Sequence, residues 1–406
     1  MDNLLSMTPA SFTPGLVTVT FRGPGVRRRC FLYAVLCASI GWLWQAATVH
    51  RNYQGNWTAL FCVGGLTHYP DLPGENIYRF AGSHGFDGQF YYLIAHDPSP
   101  SGALASAIDT PDLRYERILV PLLAYIAALG NPRAIAFSYA AVNLVFLFLG
   151  SWWIARTVAL HGATPAWALA FLLIPAVPIS LDRMTVDLAL VALAAGAFYF
   201  WETHQLKKLF ATLALMCLTR DTGAIVVLAF VAFFLARRKW KPAAAALAAA
   251  IPFALWFGYV LALHPLRSRP WLPIHPFVWT WNFLIHPPPY AFSPSINFAV
   301  HLLDLAAFAG LALGVAAAVF EARDKTLSPA RVGNLFFCVL AVYLLSLDEW
   351  THVYDFGRVL SPLMLNLLVC GIVSRRWWFL AAPCLITLRI AAQMAPQILG
   401  VLKLSS

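Results

Sequence analysis

"ILVPLLAYIAALG", residues 118–130, is the stretch on which the topology of this chain turns. It is apolar enough for lipid, yet a helix needs about 20 residues to cross the hydrocarbon, and Pro121 falls inside it. A segment of this length lies in, or dips into, one leaflet. The basic clusters decide between crossing and not crossing. If 118–130 crosses, "RRKWK" 237–241 and "SRR" 374–376 face outward; if it does not, both face the cytoplasm, as the positive-inside rule requires. The non-crossing reading is adopted. Spans are then expected near 30–49, 134–158, 164–181, 184–201, 206–219, 222–236, 242–263, 297–320, 330–347, 358–373 and 377–399, about eleven in all.

Composition agrees with a polytopic membrane protein. Of 406 residues, 60% are hydrophobic and only 11% are charged, too few for a water-soluble domain of this size. Long apolar runs without strict alternation favour helices over a β-barrel. The expected fold class is therefore an all-α polytopic membrane protein, one multi-pass domain over 1–406. Its long first outer loop carries short amphipathic helices.

The net charge of +10 sits at the ends of apolar runs, including Arg27–Arg29, and so writes orientation rather than nucleic-acid binding. Seven cysteines lie mostly within apolar runs with no CxxC or Cys/His spacing, which argues against a disulfide framework or structural zinc. Residues 1–29 lack a small-residue cleavage site and read as a cytoplasmic N-terminal segment before a retained first helix.

Two outer loops follow from this topology, 50–133 and 264–296. Of 18 acidic residues, Asp2, Glu202, Glu321 and Asp324 fall inside and Asp304 within a span, so the other 13 gather on the outer side. Many stand at helix ends: "LDRMTVD" 181–187, "TRDTG" 219–223 and "DEWTHVYDFGR" 348–358. Ionisable groups at membrane depth are costly, which makes them functional candidates.

Within the first outer loop, "GFDGQFYYLIAHDP" 85–98 sets Asp87 between aromatics. One reading makes Asp87 an N-cap of a short helix anchored at the interface by Phe86, Phe90 and Ile94. The other makes it a general base whose partial desolvation raises its pKa. Asp182–Arg183 and Arg220–Asp221 are adjacent opposite charges at two hairpin turns. Arg358 opens a helix after an acidic, aromatic loop, where a guanidinium clamps phosphate bidentately. His352 and Asp355 belong to the same loop. Arg267 and Arg269 stand between Trp and Pro in the second loop. His264, His275, His286 and His352 show no ligand spacing, so no metal and no cofactor is indicated.

"FDGQFYYLIA" 86–95, followed by "RILVPLLAYIAALG" 117–130, resembles the PIG-V-type mannosyltransferases and their bacterial relatives, members of the GT-C class of membrane glycosyltransferases. The match covers roughly residues 30–130, with Phe86 where many relatives have Trp; the remainder agrees in topology. The resemblance implies an inverting hexosyltransferase at the outer face of a bacterial-type plasma membrane, independent of metal. Its partners are a polyprenyl-phosphate sugar donor, a lipid or glycan acceptor and membrane lipids, with no nucleic acid. Carried onto this chain, the acid that activates the acceptor hydroxyl is Asp87. Apart from the resemblance, the charged helix ends themselves make Arg220, Arg358 and Arg183 the expected donor-phosphate ligands. Gln89, Phe90, Tyr91, Tyr92, Asp182, Asp221, His352 and Asp355 are the expected substrate contacts on the same reading. The rival classes are a transporter or flippase for a lipid-linked substrate, which would show repeat symmetry, and a polysaccharide polymerase, which would lack the early Asp–aromatic element.

Overall fold

The computed structural model describes residues 24–266, 278–287, 292–324, 326–344 and 352–402. Arg267, Arg269, His275, Asp348 and Glu349, and residues 1–23 of the segment 1–29, lie outside these residues.

The described residues are mostly helical. Helix α1 is Pro24–Asn52. Next come a 3₁₀ turn at Trp57–Phe61, two short parallel strands, β1 (Val63–Gly64) and β2 (Arg79–Phe80), and three short helices, α2 (Gly88–His96), α3 (Pro111–Tyr115) and α4 (Leu119–Ala127). Then α5 (Pro132–Leu160) returns through the bundle. A 3₁₀ segment, Pro165–Leu173, leads into α6 (Ala176–Arg183), α7 (Asp187–Glu202), α8 (Leu206–Thr219) and α9 (Gly223–Ala236). The remainder comprises α10 (Trp240–Ala248), α11 (Ile251–Leu263), α12 (Val278–Ile285), α13 (Pro294–Ala322), α14 (Pro329–Leu344), α15 (Val353–Val359), α16 (Ser361–Ser374), α17 (Ala381–Gln393) and α18 (Ala395–Leu402).

Four helical stretches are long and apolar enough to cross a membrane: Gly25–Asn52, Pro132–Leu160, Trp240–Leu263 and Pro294–Ala322. Counting three bent pairs as single spans brings the total to seven among the described residues. About eleven apolar runs are expected from the sequence; the others form shorter helices. Helices α8 and α9 have 14 residues each, and α7 and α14 have 16 each. These amount to only about 21–24 Å of helix. For α7 the reason is visible: it is buried along almost its whole length, so protein rather than lipid sets its limits. It packs closely on α5, where a side chain on Gly196 would meet Trp153 and one on Gly150 would crowd Ala192.

The decisive stretch 118–130 does not form a spanning helix. Helix α4 has 9 residues, about 13 Å, too short to cross. Leu129 and Gly130 then take positive φ values of 53° and 70°, and the Asn131 side chain accepts from Arg133 N–H at 3.2 Å to cap α5. The chain therefore turns back on itself.

Helix α2 departs from expectation. Gly88 through Ala95 are all buried, so this helix lies inside the protein rather than on a membrane surface. Its neighbours are the 3₁₀ turn, α4 and α5, and Phe61 packs against both Tyr92 and Tyr139.

Side-chain contacts sort the helix ends into two groups. One end carries Asp87, α3, the α6–α7 and α8–α9 turns, and α15. The other carries His161 beside Glu202, Arg237 reaching the Leu327 carbonyl at 3.5 Å, and Trp167 stacked on Trp377.

Candidate functional site: an arginine–carboxylate cluster around Asp87

Asp87 stands at the position before α2, but its side chain caps nothing. An N-cap needs extended backbone so that its oxygen can fold over the first N–H groups. Asp87 is itself helical, with φ −50° and ψ −32°. Its carboxylate is thereby free to point elsewhere. Oδ1 meets Arg114 Nη1 at 3.0 Å, and Oδ2 accepts from Arg358 Nη1.

Local sequence explains the placement. Gly85 takes φ +87°, which turns the chain into α2. Gly88 lets α2 abut the end of α6, because a Cβ there would run into the Arg183 carbonyl. Helix α3 is held by Trp256, whose indole N–H donates to the Tyr115 carbonyl at 2.7 Å, and by His264 stacked on Tyr115. That positions Arg114 and Arg117 beneath Asp87.

Each arginine has further anchors. Arg114 reaches Asp109 through two bonds of 3.0 Å and lies over the Phe90 ring at 4.9 Å. Arg358 donates to Asp355 at 3.2 Å and lies over Phe86 at 5.4 Å. Arg117 donates to the Tyr91 hydroxyl at 3.2 Å and pairs with Asp221 at 3.4 Å. Behind them, Arg220 is ion-paired with Asp187 and lies 3.6 Å from Asp221. The cluster thus gathers Asp87, Tyr91, Arg220, Asp221, Asp355 and Arg358 from the sequence expectations, with Phe90 as a platform.

Its electrostatics reverse one expectation. Burial pushes the Asp87 carboxyl up, but the guanidiniums of Arg358, Arg114 and Arg117 outweigh it and hold Asp87 well below the usual carboxylate range. Asp109 is lowered in the same way: burial opposes, and the Arg114 bonds prevail. In the ligand-free protein Asp87 is therefore an ionised counter-ion, not a carboxylate raised toward neutrality.

Several expected contacts lie elsewhere. Gln89 is buried and structural: Gly64 N–H donates to its Oε1 at 3.1 Å, and its Nε2 donates to the His84 carbonyl at 3.1 Å. Tyr92 donates to Glu75, which also meets His96 Nε2 at 2.5 Å, so its hydroxyl serves a separate network. Tyr91 and Tyr92 are each 1% exposed and present no face to a ligand. Arg183 pairs with Asp182 at 3.1 Å and donates to Cys62 Sγ at 2.6 Å, turned away from Asp87. Arg220 is buried against Asp187 rather than open to a donor. His352 is exposed and lines a cavity of about 190 Å³ with Phe86, Tyr354, Asp355 and the Asp304–Arg389 ion pair.

Sequence reasoning missed Arg114, Arg117 and Asp187 as site residues. The available signal was the spacing of Arg114 and Arg117, three apart on "DLRYER" just ahead of the apolar segment. Among the described residues no group of three His, Cys, Asp or Glu is placed to hold a metal ion. A second cavity, about 120 Å³, lies at the opposite end, between His161, Glu202, Glu321 and Arg376. Comparison with protein-family models, with curated proteins and with solved structures finds no match to this chain.

Proposed function

We propose that the protein is a membrane glycosyltransferase of the GT-C type, transferring a mannose-like hexose from a polyprenyl-phosphate donor to an acceptor hydroxyl. The observation that carries this reading is the fate of Asp87. A carboxylate released from capping duty, at the mouth of a helical bundle, faces guanidiniums from α3 and α15. Such a site offers one proton acceptor and fixed positive charge where a phosphate can leave.

In the reaction the acceptor O–H bond breaks and its proton passes to an Asp87 oxygen. The acceptor oxygen bonds to the anomeric carbon as the bond from that carbon to the phosphate oxygen breaks. The electron pair leaves on the lipid phosphate, whose second negative charge develops facing Arg114 and Arg358. The reading includes about eleven membrane-embedded helices, an N-terminus in the cytoplasm, and the Asp87 end at the outer face of the plasma membrane. The basic clusters support that orientation.

The test is transfer by purified protein from labelled polyprenyl-phosphate sugars to an acceptor fraction from the same membranes. Asp87→Asn is isosteric but takes no proton at neutral pH. It should lower the rate by about 10²–10⁴-fold while the protein still folds. Near-normal turnover in the Asn variant, or no transfer by the wild type from any polyprenyl-linked hexose, rejects the proposal.

A further inference from the structure

The way Asp87 is held is unusual for a structural ion pair. Structural carboxylates usually grip one guanidinium with both oxygens, as Asp109 does with Arg114. Asp87 divides its oxygens between two guanidiniums from distant parts of the chain, one oxygen each. Two oxygens of a phosphate can bridge the same pair.

The partners are also unequal in what they would lose. Arg114 keeps Asp109 and the Phe90 face without Asp87, and Arg358 keeps Asp355 and the Phe86 face. Both guanidiniums would stay in place. Asp87 anchors nothing else, since it caps no N–H. It is also the more open partner, 17% exposed against 9% for each arginine side chain.

We infer that Arg114 and Arg358 form a two-guanidinium site for a phosphate-class anion, occupied by Asp87 in the empty protein and vacated when the anion arrives. That the anion is the phosphate joining sugar to lipid rests on the function proposed above. Arg114, which the resemblance does not assign, becomes a phosphate ligand.

Charge makes the exchange strict. From α3 and the turn after it, Asp87 faces Arg114 and Arg117; from α15 it faces Arg358 and Asp355. Arg220 and Asp221 of the α8–α9 turn stand behind them, with Asp187 paired to Arg220. Helix α6 offers only the Arg183 backbone, its side chain being turned to Asp182 and Cys62. Four arginines (Arg114, Arg117, Arg220, Arg358) therefore already meet six carboxylates (Asp87, Asp109, Glu116, Asp187, Asp221, Asp355). Among the described residues, an added anion finds no guanidinium of this cluster that lacks a carboxylate partner. It displaces Asp87, and the displaced carboxylate, next to that anion and without its two guanidiniums, rises in pKa toward the working pH, so that a fraction of it takes up a proton while the ionised remainder becomes a stronger base. Asp87 is thus a base only when the donor phosphate is seated, so acceptor hydroxyls are not activated in the empty site.

The experiment is calorimetric titration of the purified full-length protein with a short-chain prenyl methyl phosphodiester. This probe has no group that titrates near neutral pH. Buffers of low and high ionisation heat report protons taken up on binding, and inorganic phosphate is titrated in parallel. The wild type should take up protons with the diester. Asp87→Asn should bind it about tenfold more tightly, the equivalent of one released charged hydrogen bond, with no uptake. Arg114→Gln should bind it more weakly. The same gain in the Asn variant for inorganic phosphate assigns the site to the free anion, and a gain confined to the diester assigns it to a lipid headgroup.

No proton uptake by the wild type, or binding by the Asn variant no tighter than wild type, overturns the inference. If the Asn variant fails to fold, the wild-type proton count decides alone. None of these readings requires sugar transfer. Exchange without transfer would therefore leave this inference standing while the proposed function fell.

Discussion

Arg220 separates a structural from a catalytic reading, and the structure sets the expected magnitude. Its side chain is 2% exposed and that of its partner Asp187 is 1% exposed, so water screens neither charge. Replacing Arg220 by Met leaves Asp187 buried without its guanidinium, while Asp221 retains Arg117 at 3.4 Å. Breaking a buried pair from one side costs about 3–5 kcal/mol. The reverse change, Asp187→Leu, should fall toward the lower end of that range, because Arg220 keeps Asp221 at 3.6 Å and Asp221 is 48% exposed. Removing both charges leaves neither uncompensated, and replacement of whole buried pairs by apolar residues is often neutral or stabilising. Arg220→Met/Asp187→Leu should therefore lie within about 1 kcal/mol of wild type. The assay is a double-mutant cycle from denaturant titration of the purified protein in one fixed detergent. A double variant as unstable as the sum of the singles refutes the pairing. Singles as stable as wild type would return Arg220 to the open site as a phosphate ligand.

Other outcomes follow from the same geometry. Arg358→Lys keeps the charge but loses the fork that serves Asp87 and Asp355 together, so use of the polyprenyl-linked donor should weaken with expression unchanged; donor kinetics equal to wild type would remove Arg358 from the site. Gln89→Leu should lower stability by about 1–3 kcal/mol, because it orphans the buried Gly64 N–H; the His84 carbonyl keeps the Thr67 hydroxyl at 2.8 Å. A changed substrate preference at unchanged stability would contradict that structural role. His161 is pushed down by burial but raised overall by its hydrogen bond and charge pairing with Glu202 at 3.1 Å. A raised folded value means that this pair stabilises fully below the ordinary histidine value of about 6.5, and that the contribution fades as pH rises through the folded value. The melting-temperature gap between wild type and His161→Gln should thus narrow from about pH 6 to about pH 9, and a gap independent of pH would dissociate the pair from stability. Asp71 and Leu129 have side chains that are almost fully exposed. Cysteines placed at both positions in a cysteine-free background should react with an impermeant thiol reagent in intact cells. Protection at 129 alone would mean that 118–130 crosses.

Much of the architecture is legible one segment at a time. Lipid and buried bundle alike demand long apolar helices whose backbone groups are satisfied internally, so apolar runs and their charged ends mark helices without knowledge of the neighbours. The run 206–219 coincides with α8, and 222–236, 297–320 and 134–158 differ from α9, α13 and α5 by three residues at most at either end. Thirteen apolar residues around a proline do not make a spanning helix, and 118–130 forms the short α4. How many of the other runs fully cross is not a local property: α7 is enclosed by protein, and three of the runs bend by more than 60° at a break.

The site was legible as a set of residue types and not as a set of pairs. Asp87 and Arg358 stand out by composition and position, but their contact joins residues 271 apart, and nothing in either neighbourhood names the other. The dipeptides Asp182–Arg183 and Arg220–Asp221 look alike in sequence. Tertiary packing turns the first toward Cys62 and places the second against Arg117 and Asp187. Gln89 and Tyr92 sit beside Asp87 in the chain, yet α2 points them at the β1 loop and at Glu75. Burial and helix formation follow from short-range rules of length and polarity. Which carboxylate meets which guanidinium is decided by distance and by what else crowds the same few ångströms, and only the folded chain sets those.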